Sequence, residues 1–324
     1  VHSDHIALRG MHFSTTVLLE GSSNVLLQHV VMDAGASEEA AVHFQGQHQS
    51  GASHDIRVED STITGGGRTV FILGSFAPAE QWNHHLSFLR NQITCGSHNC
   101  FQISGGRDIV IEGNQITGTG TAGVLTAGAT AITVSRNRLH GMGGPALQIA
   151  SPGMEWDNYA GVENMISSAV TIANNVIDGW DNGVQLDAAT GISIVYNTVV
   201  DGTGIQFNHR TPHDQANNVI LDGNQAIRVW NNILPSIALA AGESRPTFES
   251  NNVVWQDGGG GNGLITMDPQ LDMTSDYALS AGSPGVDAAV DDADNPLVDF
   301  DNHLRGTKPD IGARELGATE LSCP

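Results

Sequence analysis

The sequence contains almost no lysine: Lys308 is the only one among 324 residues. Exposed faces of α-helices commonly carry Glu–Lys pairs, so this scarcity argues against a helical protein. No apolar run is long enough to span a bilayer, and we therefore expect no membrane span. Glycine is abundant, and Asn, Thr, Val and Ile recur throughout. This composition favours a β protein rich in turns.

Positive charge is also scarce, and the formal net charge is −22 at pH 7. Such a surface repels nucleic acid and anionic membranes, so the chain is not expected to bind nucleic acid. The acidity fits two interpretations that the sequence alone leaves open. One is solubility, and the other is calcium binding by clustered carboxylates.

Cysteine is rare as well, with three residues in the chain. Cys95 and Cys100 lie five positions apart in TCGSHNC, close enough for a small local disulfide. Cys323 has no obvious partner. This usage gives a weak indication of an oxidising compartment. The sequence begins at Val1 and not at Met, as a processed or trimmed chain would.

One short pattern, x-[IV]-x-[VIF]-x-x-N-x-[IVL], recurs along the chain. Clear copies begin at Asp55, His85, Asp108, Ala131, Ala169, Gly191 and Ala226, and degenerate copies begin at His5 and Asn24. The shortest steps between copies are 22 to 23 residues, and the longer steps fit the same unit with an inserted loop. Repeats of this length with insertions on one side are typical of a solenoid.

Each copy predicts two short strands, the second represented by segments such as CFQISG and GVQLDA. Alternation places one set of side chains inside, and no copy can bury that set alone, so we expect parallel stacking about 4.8 Å apart. Stacking would align the asparagines at the seventh position of the pattern. We interpret them as a structural hydrogen-bonded ladder: Asn91, Asn114, Asn137, Asn175, Asn197 and Asn232.

Over roughly residues 5–260 the pattern resembles the right-handed β-helix superfamily of pectate-lyase-like proteins. The segments MDPQL, SDYALSAGSPGVDAA and DFDNHLRGTKPDIGARE resemble the closing segment of many secreted bacterial β-helix proteins, although Asn302 and His303 replace a usual glycine. The resemblance implies a secreted, all-β, single-stranded right-handed parallel β-helix over residues 1–260, with about ten coils. Residues 261–324 would form a C-terminal capping segment. We expect a monomer.

The insertions follow the second strand of a copy each time, at residues 46–54, 74–84, 150–168 and 207–217. Loops that leave equivalent turns emerge on one flank, so they predict a single groove. Amide side chains at the middle outward position of successive strands would form its floor and pair with the hydroxyls of a polysaccharide. The predicted substrate-binding residues are Gln148, Gln185, Gln206, Asp187, Asn208, Trp156, Trp82 and His43.

Scaffolds of this kind host lyases, hydrolases, epimerases and binding proteins, so the resemblance does not name a reaction. Several β-helix lyase families use Lys as the base, which the near absence of Lys disfavours here. The leading hypothesis is β-elimination on a uronate-containing polysaccharide, with Arg210, His209 and His213 neutralising charge or moving protons and Tyr159 as the acid. One alternative is a non-catalytic glycan-binding or cell-surface protein.

A glycoside hydrolase is the other alternative, with Asp181 or Asp187 paired with Asp157, Glu155 or Asp214. Calcium has two weak candidate sites. The first is the acidic run that includes Asp299 and Asp301, and the second is Asp181 with Asp187. The histidines show no H-x-x-x-H or Cys/His arrangement, so the sequence predicts no structural zinc site.

Overall fold

The structure, a computed structural model, describes residues 4–35, 40–45, 51–74, 81–151, 166–213, 218–256, 261 and 263–318. Three sheets of parallel strands wind around one core, and the chain visits them in the same order in each of the first nine turns. We number the sheets in that order and call one strand from each sheet a coil. The first sheet has ten strands, which confirms the predicted parallel β-helix of about ten coils.

The strands of the first sheet are β1 Asp4–Arg9, β4 Ser23–Gln28, β7 His54–Glu59, β10 Asn83–Leu89, β13 Gly106–Glu112, β16 Thr130–Ser135, β19 Ser168–Ala173, β22 Thr190–Val195, β25 Arg228–Trp230 and β28 Phe248–Ser250. Those of the second sheet are β2 His12–Phe13, β5 Val31–Asp33, β8 Thr62–Gly65, β11 Gln92–Cys95, β14 Gln115–Gly118, β17 Arg138–Gly141, β20 Val176–Asp178, β23 Thr198–Val199, β26 Ile233–Leu234, β29 Asn252–Val254 and β30 Leu264–Ile265.

The third sheet contains β3 Val17–Glu20, β6 Val42–Gln45, β9 Val70–Leu73, β12 Asn99–Ser104, β15 Ala122–Ala127, β18 Pro145–Ala150, β21 Asn182–Asp187, β24 Thr203–Asn208 and β27 Ile237–Leu239. A short 3₁₀ helix, Met273–Ser275, lies between the antiparallel strands β31 Leu271–Asp272 and β32 Ala278–Leu279. The described part of the chain contains no helix with the length and hydropathy needed to cross a membrane.

Alternation along each strand builds the core. In the fifth coil, Ile109 and Ile111 of β13, Ile116 of β14 and Val124 of β15 all point inward and are fully buried. Each of these side chains stacks on its counterpart in the next coil, because the registers are parallel: Ile109 pairs with Ile132. The inner columns therefore form one continuous apolar core that no single coil could bury alone.

The second sheet is the main difference from the sequence-based expectation, which had two strands in each copy. Its strands are two to four residues long, and those from β11 to β26 directly follow a ladder asparagine. So short a strand places only one or two side chains inward, and alternation over that length cannot be separated from a turn. The pattern predicted the inward residue at its ninth position but not the strand that carries it.

The corner between the first and second sheets holds the asparagine ladder. Each ladder side chain accepts from the coil before it and donates to the coil after it; for example, Asn114 Nδ2 donates to Asn137 Oδ1 at 2.9 Å. The residue before each asparagine has a positive φ, as at Arg136 (54°) and Tyr196 (55°). This left-handed conformation is costly for residues other than glycine. The buried ladder hydrogen bonds hold it in place. Asn252, which the pattern missed, extends the ladder.

A disulfide joins Cys95, at the end of β11, to Cys100 in β12, with a Cα–Cα distance of 4.6 Å. It closes the turn between the second and third sheets in the fourth coil. The disulfide expected from the five-residue spacing is therefore confirmed.

The C-terminal segment lies along the corner between the first and second sheets. Tyr277 Oη donates to Asp178 at 2.9 Å, and Gly312 N donates to Asn231 O at 2.9 Å. Arg305 is 3% exposed, and its guanidinium lies 3.8 Å from the centre of the Tyr196 ring. Burial raises the pKa of Tyr196 to about 12. The segment therefore packs along the side of coils seven to nine, and it also follows the last coil in sequence.

Candidate functional site

The four predicted insertions share one corner of the solenoid. Each follows a strand of the third sheet (β6, β9, β18 or β24) and precedes a strand of the first sheet (β7, β10, β19 or β25). Because neighbouring coils are stacked in register, these segments leave from equivalent positions along a single edge. The described ends of the four segments therefore lie on one flank, as predicted, and residues 46–50, 75–80, 152–165 and 214–217 lie outside the described part of the chain.

The outer face of the third sheet carries the predicted column of amides. Gln148 is paired with Gln185, and Gln185 with Gln206, in three successive coils. All three side chains are partly exposed. Alternation therefore predicted their register correctly. Their role in binding a ligand stays a prediction.

Asp187 lies at the centre of this face, and its carboxylate is fully buried. Oδ2 accepts from Gln148 Nε2 at 2.8 Å and from Gln185 Nε2 at 2.9 Å. Oδ1 accepts from Asn208 Nδ2 at 2.9 Å, and Asn208 Oδ1 in turn accepts from Gln206 Nε2 at 2.9 Å. A carboxylate only accepts, so it dictates that the NH₂ groups of Gln148 and Gln185 face it. Their amide oxygens therefore face away from Asp187.

Arg210 follows β24 and lies beside the same carboxylate. Its Nε is 3.6 Å from Asp187 Oδ1, and its side chain is 50% exposed. Asp187 therefore offsets the charge of Arg210, while part of the guanidinium remains accessible to solvent. The pair is an ion pair between a buried acid and a half-exposed base at the edge of the amide column.

His209, a predicted catalytic residue, is held between two carboxylates. Nδ1 lies 3.2 Å from Oε1 of Glu243, which is 1% exposed, and Nε2 lies 3.3 Å from Asp222 Oδ1. Each ring nitrogen therefore already faces a carboxylate, and the ring is held in place between the two acids. Gly242 packs against the ring, since a Cβ there would lie 3.2 Å from His209 Cγ.

Sequence reasoning missed Glu243 and Asp222, because they reach His209 from later parts of the chain. Glu243 Oε1 also accepts from Asn224 N at 3.2 Å, and Asn224 Oδ1 accepts from Ala189 N at 3.0 Å. The acid thus anchors both His209 and the turn that leads into the ninth coil. No spacing in the sequence connects these residues.

The remaining predicted residues have mixed placements. Trp82 was expected to offer its ring to a sugar, but it is 2% exposed and packs in the interior, so that expectation is wrong. His43 lies in the same column as the glutamines but in the second coil, where it stacks on Phe71 at 4.9 Å. His213 forms an isolated bridge with Val219. The following residues lie outside the described part of the chain: Tyr159, Trp156, Glu155, Asp157 and Asp214.

The second candidate calcium pair is separated by a whole strand. Asp181 precedes β21, where its Oδ2 accepts from Gly144 N at 3.1 Å, and Asp187 ends the strand. Six residues of extended chain span about 20 Å. Asp181 and Asp187 therefore cannot bind one ion together, and this pairing is wrong.

The tail brings three candidate metal ligands together. Atoms of Asp299, Asp301 and His303 lie within 4.8 Å of one another. However, the Asp299 oxygens accept from the backbone N–H groups of His303 at 2.8 Å and Glu315 at 3.0 Å. Asp301 pairs with Arg314 at 3.0 Å. The described contacts therefore fit a cross-linked turn better than a calcium site.

Two structures with a similar fold come from PfbA, a surface adhesin of Streptococcus pneumoniae. Each is 11% identical to this chain, with TM-scores of 0.50 and 0.49. The matches cover 76% and 78% of this chain and 67% and 59% of the respective adhesin chains. Pectate lyase Pel9A is 12% identical, with a TM-score of 0.42, and the match covers 93% of this chain and 82% of that one. At such identities the likeness concerns the fold alone.

No curated protein matches the sequence. A family model described as a right handed beta helix region matches residues 15–155 and 79–253. Together these matches span well over half of the chain, and they coincide with the stacked coils. The chain therefore belongs to the right-handed β-helix family.

Proposed function

We propose that this protein is an extracellular glycan-binding β-helix protein whose binding face is the outer surface of the third sheet. The observation that carries the proposal is the buried Asp187 carboxylate, which orients the amides of Gln148 and Gln185. Their oxygens become fixed acceptors, about 4.8 Å apart from one coil to the next. Sugar hydroxyls are donors of matching chemistry, and orienting the acceptors in advance lowers the entropy cost of binding.

The charges of this face favour a neutral glycan over a polyuronate. Glu20 and Asp187 are its acids, and the glutamines add no charge. Arg210 is already paired with Asp187, and Arg68 donates from Nε to Gln102 Oε1 at 2.6 Å. Both of these described cations thus already have a partner on the protein, whereas a uronate would bring a further carboxylate to each site. The disulfide between Cys95 and Cys100 supports a location outside the reducing cytosol.

Uronate elimination is the second candidate, favoured by one observation. Arg210 is half-exposed at the edge of the amide column, and a guanidinium there could receive the carboxylate of a uronate. Against this candidate, both ring nitrogens of His209 already face carboxylates, those of Glu243 and Asp222.

Binding to a panel of neutral and acidic polysaccharides tests the proposal. The double variant Gln185→Ala/Gln206→Ala should lose about tenfold in affinity for the bound glycan, since two hydrogen bonds of about 0.5–1.5 kcal/mol each are removed. Gln115→Ala is the matched control, because Gln115 is an exposed amide on the second sheet. Equal loss in both variants, or none in either, would contradict the proposed face.

The same panel separates the second candidate. Elimination creates an unsaturated uronate, which absorbs in the ultraviolet, and Arg210→Ala should abolish that signal if the reaction occurs. Release of an absorbing product from any acidic glycan would contradict a purely binding function and support the elimination reaction.

A further inference from the structure

Arg68 differs from most arginines of this protein because no described carboxylate lies beside it. The other arginines generally form an ion pair, as Arg90 does with Asp60 at 2.8 Å. Among the described residues, Arg9 and Arg68 are the two arginines without such a pair. The chain has 35 acidic residues and 13 basic ones, so acids are in large excess and an arginine that meets none calls for an explanation.

The guanidinium of Arg68 is held on one face and along one edge. It lies over the ring of Phe71, with Cζ 5.0 Å from the ring centre, and Nε donates to Gln102 Oε1 at 2.6 Å. Gln102 is only 7% exposed and is itself held in place. Its Oε1 also accepts from Asn99 Nδ2 at 3.1 Å, and its Nε2 donates to Ser104 Oγ at 3.3 Å. The arginine side chain is therefore oriented before any ligand arrives, which lowers the entropy cost of binding.

These contacts orient Arg68 without offsetting its charge, because Gln102 is a neutral amide. Partial burial, and then the charge of Arg68, lower the pKa of the nearby His98 below its usual value. Arg68 is partly exposed, and no described residue accepts a hydrogen bond from its terminal nitrogens Nη1 and Nη2. The edge between these two nitrogens presents parallel N–H donors, and their spacing matches the two oxygens of a carboxylate.

Arg68 belongs to the same outer face as the amide column. Phe71 pairs with Gln102 in the next coil, Gln102 pairs with Leu125, and Leu125 pairs with Gln148. Gln102, the residue that holds Arg68, is therefore two coils from Gln148, or about 10 Å along the solenoid axis. A glycan that lies along the amide column reaches Arg68 by extending past Gln148 toward the N-terminal coils.

We propose that Arg68 binds a carboxylate carried by the glycan on the third sheet, through two parallel hydrogen bonds from Nη1 and Nη2. The inference rests on the proposed binding face and specifies its ligand: a largely neutral chain that bears an acidic sugar at intervals. Arg210, the other arginine described at this face, is already paired with Asp187. Arg68 therefore suits one acid in each bound segment, whereas a polyuronate would place acids along the whole amide column.

Titration of the full chain with sodium glucuronate, and with glucose as the uncharged match, tests this site by ligand-observed NMR at low ionic strength. The wild type should bind glucuronate at least about tenfold more tightly than glucose. Arg68→Gln should abolish this preference. Arg68→Lys should restore only part of it, because an ammonium group lacks the planar fork of a guanidinium. Arg9→Gln is the matched control, since Arg9 is an exposed arginine on the first sheet that also has no described acidic partner.

Equal affinities of the wild type for glucuronate and glucose would overturn the proposal. So would an Arg68→Gln variant that keeps the preference, or an Arg9→Gln variant that loses it equally. Full recovery in Arg68→Lys would overturn the two-point contact. The amide column is tested separately by Gln185→Ala/Gln206→Ala with neutral glycans. Neutral binding that depends on these glutamines, without a glucuronate preference, would reject the role of Arg68 alone, and the converse would reject the amide face alone.

Discussion

At the scale of single residues, each ladder asparagine stabilises a turn and also forms hydrogen bonds to the neighbouring coils. Asn137 Oδ1 accepts from Asn114 N and Asn114 Nδ2, both at 2.9 Å, and its Nδ2 donates to Ile111 O at 2.8 Å. Alanine at this position would leave these buried groups unpaired, and each costs about 1–3 kcal/mol. We expect Asn137→Ala to lower the free energy of unfolding by about 2–4 kcal/mol in equilibrium denaturation.

The control for this prediction is Gln115→Ala, an exposed amide only one position beyond the ladder asparagine of its coil. Substitutions at such surface sites usually change stability by less than about 0.5 kcal/mol. An equally small change in the free energy of unfolding for Asn137→Ala would contradict the prediction. It would mean that water replaces the lost ladder hydrogen bonds.

At this scale, the sequence predicted the positions of the amide side chains on the third sheet better than the contacts of the candidate catalytic residues. Gln148, Gln185 and Gln206 were placed correctly, because alternation fixes the face of a side chain once the repeat is known. Alternation could not predict that the Asp187 side chain is buried, since outward-facing side chains are normally exposed to solvent. Nor could it bring Glu243 to His209, because contacts between coils depend on loop lengths that vary along the chain.

At the scale of elements, the C-terminal segment is fastened to the coils through Asp178 at the end of β20. Oδ1 contacts Arg138 Nη1 at 2.8 Å and His140 Nδ1 at 3.0 Å, and Oδ2 accepts from Tyr277 of the segment at 2.9 Å. Burial alone would raise the pKa of Asp178. The hydrogen bonds and charge of Arg138, together with its other partners, outweigh burial and bring the pKa below its usual value.

This shift predicts a pH-dependent difference between the wild type and Asp178→Asn. A carboxyl with a lowered folded-state pKa contributes stability above its unfolded pKa of about 3.8, and loses it as pH falls through the folded value. The variant should be about 2 kcal/mol less stable at pH 7, where hydrogen bonds to a charged group are lost. The gap should close below pH 4. If the stability difference between the two proteins stays constant with pH, then packing and not the charge of Asp178 holds the segment in place.

The elements themselves were predictable to different degrees. The first and third sheets alternate over up to seven residues, so their strands were evident from the pattern. In contrast, the strands of the second sheet are held by neighbouring coils more than by their own sequence; β23, for example, is only Thr198–Val199. The path of the C-terminal segment depends on single contacts such as Tyr277–Asp178, which no local signal contains.

At the scale of the whole molecule, the net charge of −22 opposes folding through mutual repulsion. Sodium chloride screens exposed charges over about 10 Å at 0.1 M. We therefore expect the midpoint of thermal unfolding to rise by about 2 °C or more between low and high salt. Chloride is the suitable anion, because sulfate also strengthens apolar burial. A falling midpoint would mean that ion pairs such as Arg90–Asp60 outweigh the repulsion.

The even spacing of the ladder has a consequence for how such chains change length. Asn91, Asn114 and Asn137 are 23 residues apart, and no insertion separates them. Excision of residues 114–136 would bring Asn137 onto Asn91 with every inner column still aligned. In-frame recombination can therefore remove or duplicate a unit without redesigning its neighbours. The number of coils, and with it the length of the outer face of the third sheet, is then a heritable quantity that can change by one coil at a time.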